Sequence, residues 1–128
     1  MASPIPTQDW TLQQGDSQDI TFKCKQYSIP GDVSSLVNRY DFTGAVIRMK
    51  VRLTPLASAV IELDSTTSTG NYIEVDAADN KVTLHITAAK MASVKAGTYG
   101  YDVECTFTDG KVVKLVKGSI EIEGEYTW

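Results

Sequence analysis

The sequence predicts an all-β fold, a single antiparallel sandwich, on three observations. Apolar and polar residues alternate one by one through four long runs. Turn residues interrupt the alternation about every ten positions, the spacing of short strands with short connections. Only one stretch has helical composition, and it is too short for more than one or two turns.

The elements follow in chain order. Residues 1–9 contain Pro4 and Pro6, cannot form a regular element, and are expected as an extended arm ahead of a sandwich over residues 10–128. Asp9 to Gln14 is a short strand candidate closed by a turn at Gly15-Asp16. Ile20, Phe22 and Cys24 then alternate with Thr21, Lys23 and Lys25. Ser28 to Tyr40 is the longest irregular stretch, with a turn at Pro30-Gly31; loops of that length are often functional.

Ala45, Ile47, Met49, Val51 and Leu53 alternate with Arg48, Lys50 and Arg52, so the first set is expected to face the core. Ala59 to Asp64 and Tyr72 to Asp76 are shorter strands separated by the Ser/Thr-rich loop Ser65 to Asn71, and a turn follows at Ala78 to Asn80. Val82, Leu84 and Ile86 alternate with Thr83, His85 and Thr87. The helical segment is Thr87 to Val94, with Thr87 placed to cap its first turn. Tyr99, Tyr101, Val103, Cys105 and Phe107 form the last long inward row, and Asp109-Gly110 is a strong hairpin signal after it. Lys111 to Val116 and Ser119 to Glu125 complete eight or nine strands.

Composition narrows the function. A chain of 128 residues can bury one core without disulfide or metal staples. Its net charge is −4 and its basic residues are scattered, which argues against a phosphate-binding stripe and so against a nucleic-acid partner. No run approaches the roughly 18 to 20 apolar residues that span a bilayer, so no membrane partner is expected. The start, MASPIPTQDW, lacks the charged and apolar regions of a secretory leader, and no glycosylation sequon occurs; folding in a cytosol is the expectation.

Chemistry-bearing residues are few. His85, the one histidine, lies on the polar side of its strand, with no acidic residue in its local pattern to mark a catalytic triad. One His and two distant Cys make no zinc motif. Asp76 and Asp79 share a turn, and Glu121, Glu123 and Glu125 line one strand face, but no calcium-loop motif surrounds them. The Glu row is expected to face Lys or Arg on a neighbouring strand.

Arg48, Lys50 and Arg52 form a short basic row, suited to cross-strand pairing or to an acidic partner surface. Trp10 and Trp128 stand at the chain ends and either pack on their own sandwich or dock into a neighbour. No catalytic residue, metal, cofactor or small-molecule substrate is expected.

The stretch AGTYGYDVECTF, from Ala96, adds an immunoglobulin-like feature to the sandwich. Tyr99 is placed like the corner tyrosine of such folds, whose hydroxyl bonds the backbone across the corner. An antibody domain has its cysteine two residues after that tyrosine; here the position holds Tyr101, and Cys105 lies farther along. Cys24 and Cys105 both fall on inward faces and could be neighbours. Buried and reduced thiols are expected, as befits a cytosolic chain.

Taken together, GDSQDITFK, DFTGAVIRMKVR, VIELDSTTSTGNYIEV and the run from NKVTLHITAAK to GSIEIEGEYT resemble small β-sandwich structural proteins of tailed bacteriophages and prophages, related to the N-terminal domain of phage baseplate upper proteins. The resemblance covers about residues 10 to 127. Its most specific parts are Phe42 to Ala45 with Gly44, Thr87-Ala-Ala, and Ala96-Gly97-Thr98-Tyr99 followed by Tyr101-Asp102.

The resemblance implies a non-catalytic virion part, assembled in the host cytoplasm. It would act by homo-oligomerisation and by docking to tail, baseplate or neck proteins. A head decoration protein, or an immunoglobulin-like adhesion module of a bacterial surface, is the alternative. Candidate interface residues are Pro4, Pro6, Trp10, Trp128, Arg48 and Arg52. Gly44, Gly97, Tyr99, Cys24 and Cys105 are expected to be structural.

Overall fold

The structure is a computed structural model that describes residues 6–124; Pro4 and Trp128 lie outside the described residues. Ten strands and one helix follow in order: β1 (Trp10–Gln13), β2 (Gln18–Lys23), β3 (Lys25–Tyr27), β4 (Leu36–Asn38), β5 (Val46–Arg52), β6 (Ala59–Asp64), β7 (Tyr72–Asp76), β8 (Lys81–Ile86), α1 (Ala88–Ser93), β9 (Gly97–Thr106) and β10 (Val112–Glu123). Five strands form one sheet in the order β1-β10-β9-β5-β6, three form another in the order β2-β8-β7, and β3 pairs with β4 as a separate hairpin. This is an all-β sandwich with one short helix.

The alternation decides what lies between the sheets. Ile47, Met49 and Val51 of β5, Val103 and Cys105 of β9, and Ile120 and Ile122 of β10 meet Val82, Leu84 and Ile86 of β8 in one buried core. All of these are at most 2% exposed, which makes them the costliest positions to truncate. Met91 of α1 enters the same core, so the short helix plugs one end of the sandwich. As expected, Thr87 caps it by accepting a hydrogen bond from the Lys90 amide at 3.2 Å.

The structure departs from the sequence reading in four places. Lys111 to Val116 and Ser119 to Glu125 are not two strands; Val112–Glu123 is one, with an irregularity in its register between Lys114 and Val116 that lets Leu115 and Val116 both point inward. β1 runs parallel to β10, so the sandwich is not wholly antiparallel. Leu53, expected inward, is 61% exposed, because β5 ends at Arg52 after a register shift and the chain turns away from the core. Ser28 to Tyr40 is not irregular: it holds the distal part of the β3–β4 hairpin and a single 3-10 turn at Val33–Ser35.

The expected arm is partly tied down. Lys117 donates its amide to the Pro6 carbonyl at 3.0 Å, and the Gln8 amide donates to Lys117 at 2.9 Å, extending the parallel pairing upstream of β1. Gly118 makes this possible: a Cβ there would stand 2.1 Å from the Gln8 carbonyl oxygen. Residues 6–9 therefore lie on the chain's own sheet.

Candidate functional site

Two connections meet at one end of the sandwich, the long β2–β5 excursion and the β9–β10 turn. Gly44, at φ +72°, packs so closely on Thr108 that a Cβ would come within 2.8 Å of its methyl group. The left-handed backbone and this close approach both call for glycine here. Tyr40 ties the excursion to the core by ring contacts with Phe42 and Phe107, both at 5.9 Å between centroids, and Arg39 lies over the Tyr40 ring at 5.3 Å.

Asn80 holds the β3–β4 hairpin in place. It is fully buried, sits at φ +48°, and uses its side-chain amide as a false strand neighbour: its oxygen accepts from the Tyr40 amide at 2.9 Å and its nitrogen donates to the Tyr40 carbonyl at 2.7 Å. A second tie runs from Asn38, which donates to the Ala78 carbonyl at 2.9 Å and accepts from Lys25 at 2.6 Å. Lys25 and Lys23 also bind Asp79, and those two hydrogen bonds hold its carboxyl down at about 2. Asp79 thus serves a lysine clamp, while Asp76 accepts from the Asp79 amide; among the described residues no three His, Cys, Asp or Glu side chains converge on a metal position.

The distal part of the hairpin is ordered by its own polar groups. Asp32 accepts from both the amide and the hydroxyl of Ser34, and the Ser35 hydroxyl donates to the Asp32 carbonyl at 2.7 Å. On this braced loop Ile29, Leu36 and Val37 are 58%, 49% and 41% exposed. Sequence alone flagged the segment as long; it did not show the anchor, because Tyr40 and Asn80 are far apart in the chain.

The outer face of the five-stranded sheet is laced with charge. Arg48 stands in register with Glu104 on one side and Asp64 on the other, and Lys50 with Asp102 and Glu62. Lys114 bonds Glu104 at 2.7 Å and Asp102 at 3.1 Å, and these contacts raise its pKa above the ordinary lysine value. Of the basic row, Lys50 reaches Glu62 at 4.0 Å and Arg48 stands in register between two carboxylates. Arg52 instead donates to the Ala57 carbonyl and braces the β5–β6 turn.

Of the Glu row, the described members Glu121 and Glu123 stand opposite neutral residues. Glu121 pairs in register with Thr11 and Thr98, and Glu123 with Gln13, which donates to it at 2.8 Å. The reason is that β10 lies between β1 and β9, whose facing residues are neutral.

Tyr99 makes the corner bond, donating its hydroxyl to the Lys95 carbonyl at 2.7 Å, and Gly97 opens β9 just before it. Trp10 packs on its own sandwich, stacked on Tyr101 with centroids 4.6 Å apart; Tyr101 in turn donates to the Gln8 carbonyl at 2.6 Å.

Cys24 and Cys105 are buried free thiols, and burial pushes each up to about 11. At neutral pH the thiolate fraction is then on the order of 10⁻⁴, so a thiol reagent should label neither in the native protein and both after unfolding. A fast-reacting thiol in the native state would contradict this burial.

His85 has acidic partners that sequence proximity did not reveal. Its Nδ1 lies 2.6 Å from Asp19 and its Nε2 lies 3.0 Å from Glu74, with the ring stacked on Tyr72 at 4.5 Å. Burial lowers its pKa, but the hydrogen bonds to Glu74 and Asp19 and their charges outweigh it and raise the value above 6.5. A raised folded-state pKa means stabilisation fully present below about pH 6.5 and lost as pH rises through the folded value. Because both carboxylates are largely exposed, the effect should stay under about 0.5 kcal/mol. NMR titration should place His85 above 6.5 and return it toward that value in D19N or E74Q.

No protein-family model matches the chain, and no curated protein sequence does. Among solved structures it is similar to the Listeria monocytogenes internalin-like protein lmo2027, with a TM-score of 0.40 and 16% identity over 93% of this chain. The chain spans about 28% of that protein's length.

Proposed function

We propose that this chain is a non-catalytic structural module of a tailed-phage particle, acting by self-association and by docking to tail, baseplate or neck proteins. The single observation behind the docking step is the β3–β4 hairpin. Its base is clamped by Asn80 and Asn38, its distal loop is braced by Asp32 and Ser35, and it holds Ile29, Leu36 and Val37 out in water. A preformed apolar tip loses little conformational entropy on binding, which is what a repeated attachment point requires. The sequence resemblance supplies the particle.

The test is immunogold labelling of assembled particles with native mass measurement of the isolated chain. The expected result is label on the tail, baseplate or neck, together with self-association. L36D should remove the label while leaving the melting temperature within about 2 °C of wild type, since exposed positions contribute little to stability. Particles that carry no label would refute the proposal.

A further inference from the structure

We propose that the charged outer face of the five-stranded sheet is self-complementary and binds a second copy of this chain about a two-fold axis parallel to the strands. This names the surface for the self-association in the reading above and rests on that part of it.

Strand register sets the pattern of charge. Across the sheet, Lys114, Glu104, Arg48 and Asp64 stand side by side on β10, β9, β5 and β6. One level along, Lys117, Asp102, Lys50 and Glu62 repeat the same order of signs. The four columns thus read basic, acidic, basic, acidic. Reversing that order inverts every sign.

A two-fold axis lying between β9 and β5, parallel to the strands, performs that reversal while keeping each residue at its own level. It sets Lys114 against the second copy's Asp64 and Glu104 against its Arg48. It likewise sets Lys117 against Glu62 and Asp102 against Lys50. An in-plane axis perpendicular to the strands would instead set β9 on β9 and β5 on β5, like charge on like charge. The charge pattern therefore selects one orientation, with the strands of both copies running the same way. Aligned packing of two sheets accepts that geometry.

Two further observations fit it. Lateral pairing within one copy is tight only at Lys114; Lys50 and Glu62 approach only to 4.0 Å, and their side chains are 48% and 64% exposed. At the Arg52 end of the sheet, Gly100 lacks a side chain, and the surface there dips into a depression bordered by Pro55. The same axis brings the β5–β6 turn of the second copy, with Leu53 at 61% and Leu56 at 99% exposed, toward that end of the β9–β10 pair. Charge sets the orientation, and the turn adds apolar contact at one edge.

The experiment is sedimentation velocity of the full chain over a range of concentrations. The wild-type chain should self-associate at about 50 mM salt and less at about 500 mM, because screening shortens the reach of the columns. R48E and E104R should each weaken self-association by about tenfold or more, as one-sided changes at close charge pairs do. Mixing the two variants should restore association, because both contacts across the axis are then opposite in sign.

The double variant R48E/E104R should also associate, because it restores opposite signs across the axis; within each copy it keeps the pairing between positions 48 and 104 but gives up those with Lys114 and Asp64. A single variant that merely misfolds is thereby told apart from one that has lost its partner. A wild-type chain that stays monomeric at about millimolar concentration overturns the proposal, even if it labels particles. Self-association that neither charge swap alters overturns this face and leaves self-association through another surface.

Discussion

Replacing Asn80 with alanine is expected to destabilise the fold by about 3 kcal/mol and to lower the melting temperature by about 10 °C. Two losses combine. The Tyr40 amide and carbonyl lose the side-chain partners they hold at 2.9 and 2.7 Å, inside a part-buried junction. Alanine must also take up the left-handed backbone at φ +48°, at a cost of roughly 1–2 kcal/mol. Asn80→Gly removes the side chain but accepts that backbone, so it should cost about 1 kcal/mol less than alanine. Amide exchange at Arg39 and Tyr40 should quicken in both variants, because those residues lead the hairpin back to the core. Unchanged exchange there would show that Asn80 is not the anchor.

Gly118→Ala is expected to have a comparable effect by a different route, a loss of about 2–4 kcal/mol. A Cβ at this position meets backbone, the Gln8 carbonyl at 2.1 Å, and backbone has no rotamer to retreat into. The segment from Pro6 to Asp9 must lift away. With it go the Lys117–Pro6 and Gln8–Lys117 bonds, the Ser119 amide bond to Asp9 and the Tyr101 hydroxyl bond to Gln8. Limited proteolysis should then cut before Trp10 at a protease concentration that leaves the wild-type chain intact. A variant that resists cleavage and melts like wild type would show that the segment is held by something else.

These two positions also mark the edge of what could be read without coordinates. Asn80 looked like an ordinary turn residue, since a turn favours Asn whether or not its amide is used elsewhere. Gly118 fell in the gap between the strands expected over Lys111 to Val116 and Ser119 to Glu125. In the structure it is the place where a second backbone passes close. His85 was placed correctly on the outward side of β8, yet Asp19 and Glu74 come from strands whose pairing the chain does not announce locally. Tyr99 was legible in full, because its bond to Lys95 closes within four residues of the chain and needs only the local corner.

By itself the sequence determined the all-β class, the inward rows of β5, β8 and β9, the helix cap at Thr87 and the corner at Tyr99. Each depends on side-chain period or on neighbours within one turn, and such preferences act wherever the segment folds. Only the tertiary structure decided the parallel pairing of β1 with β10, the clamp of Asn80 on Tyr40 and the alternating signs across the outer sheet. Those depend on register between strands distant along the chain, and a shift of one residue would turn every side chain to the other face. Register is settled by the whole core at once, so the charge columns and the hairpin anchor emerge with the packed sandwich.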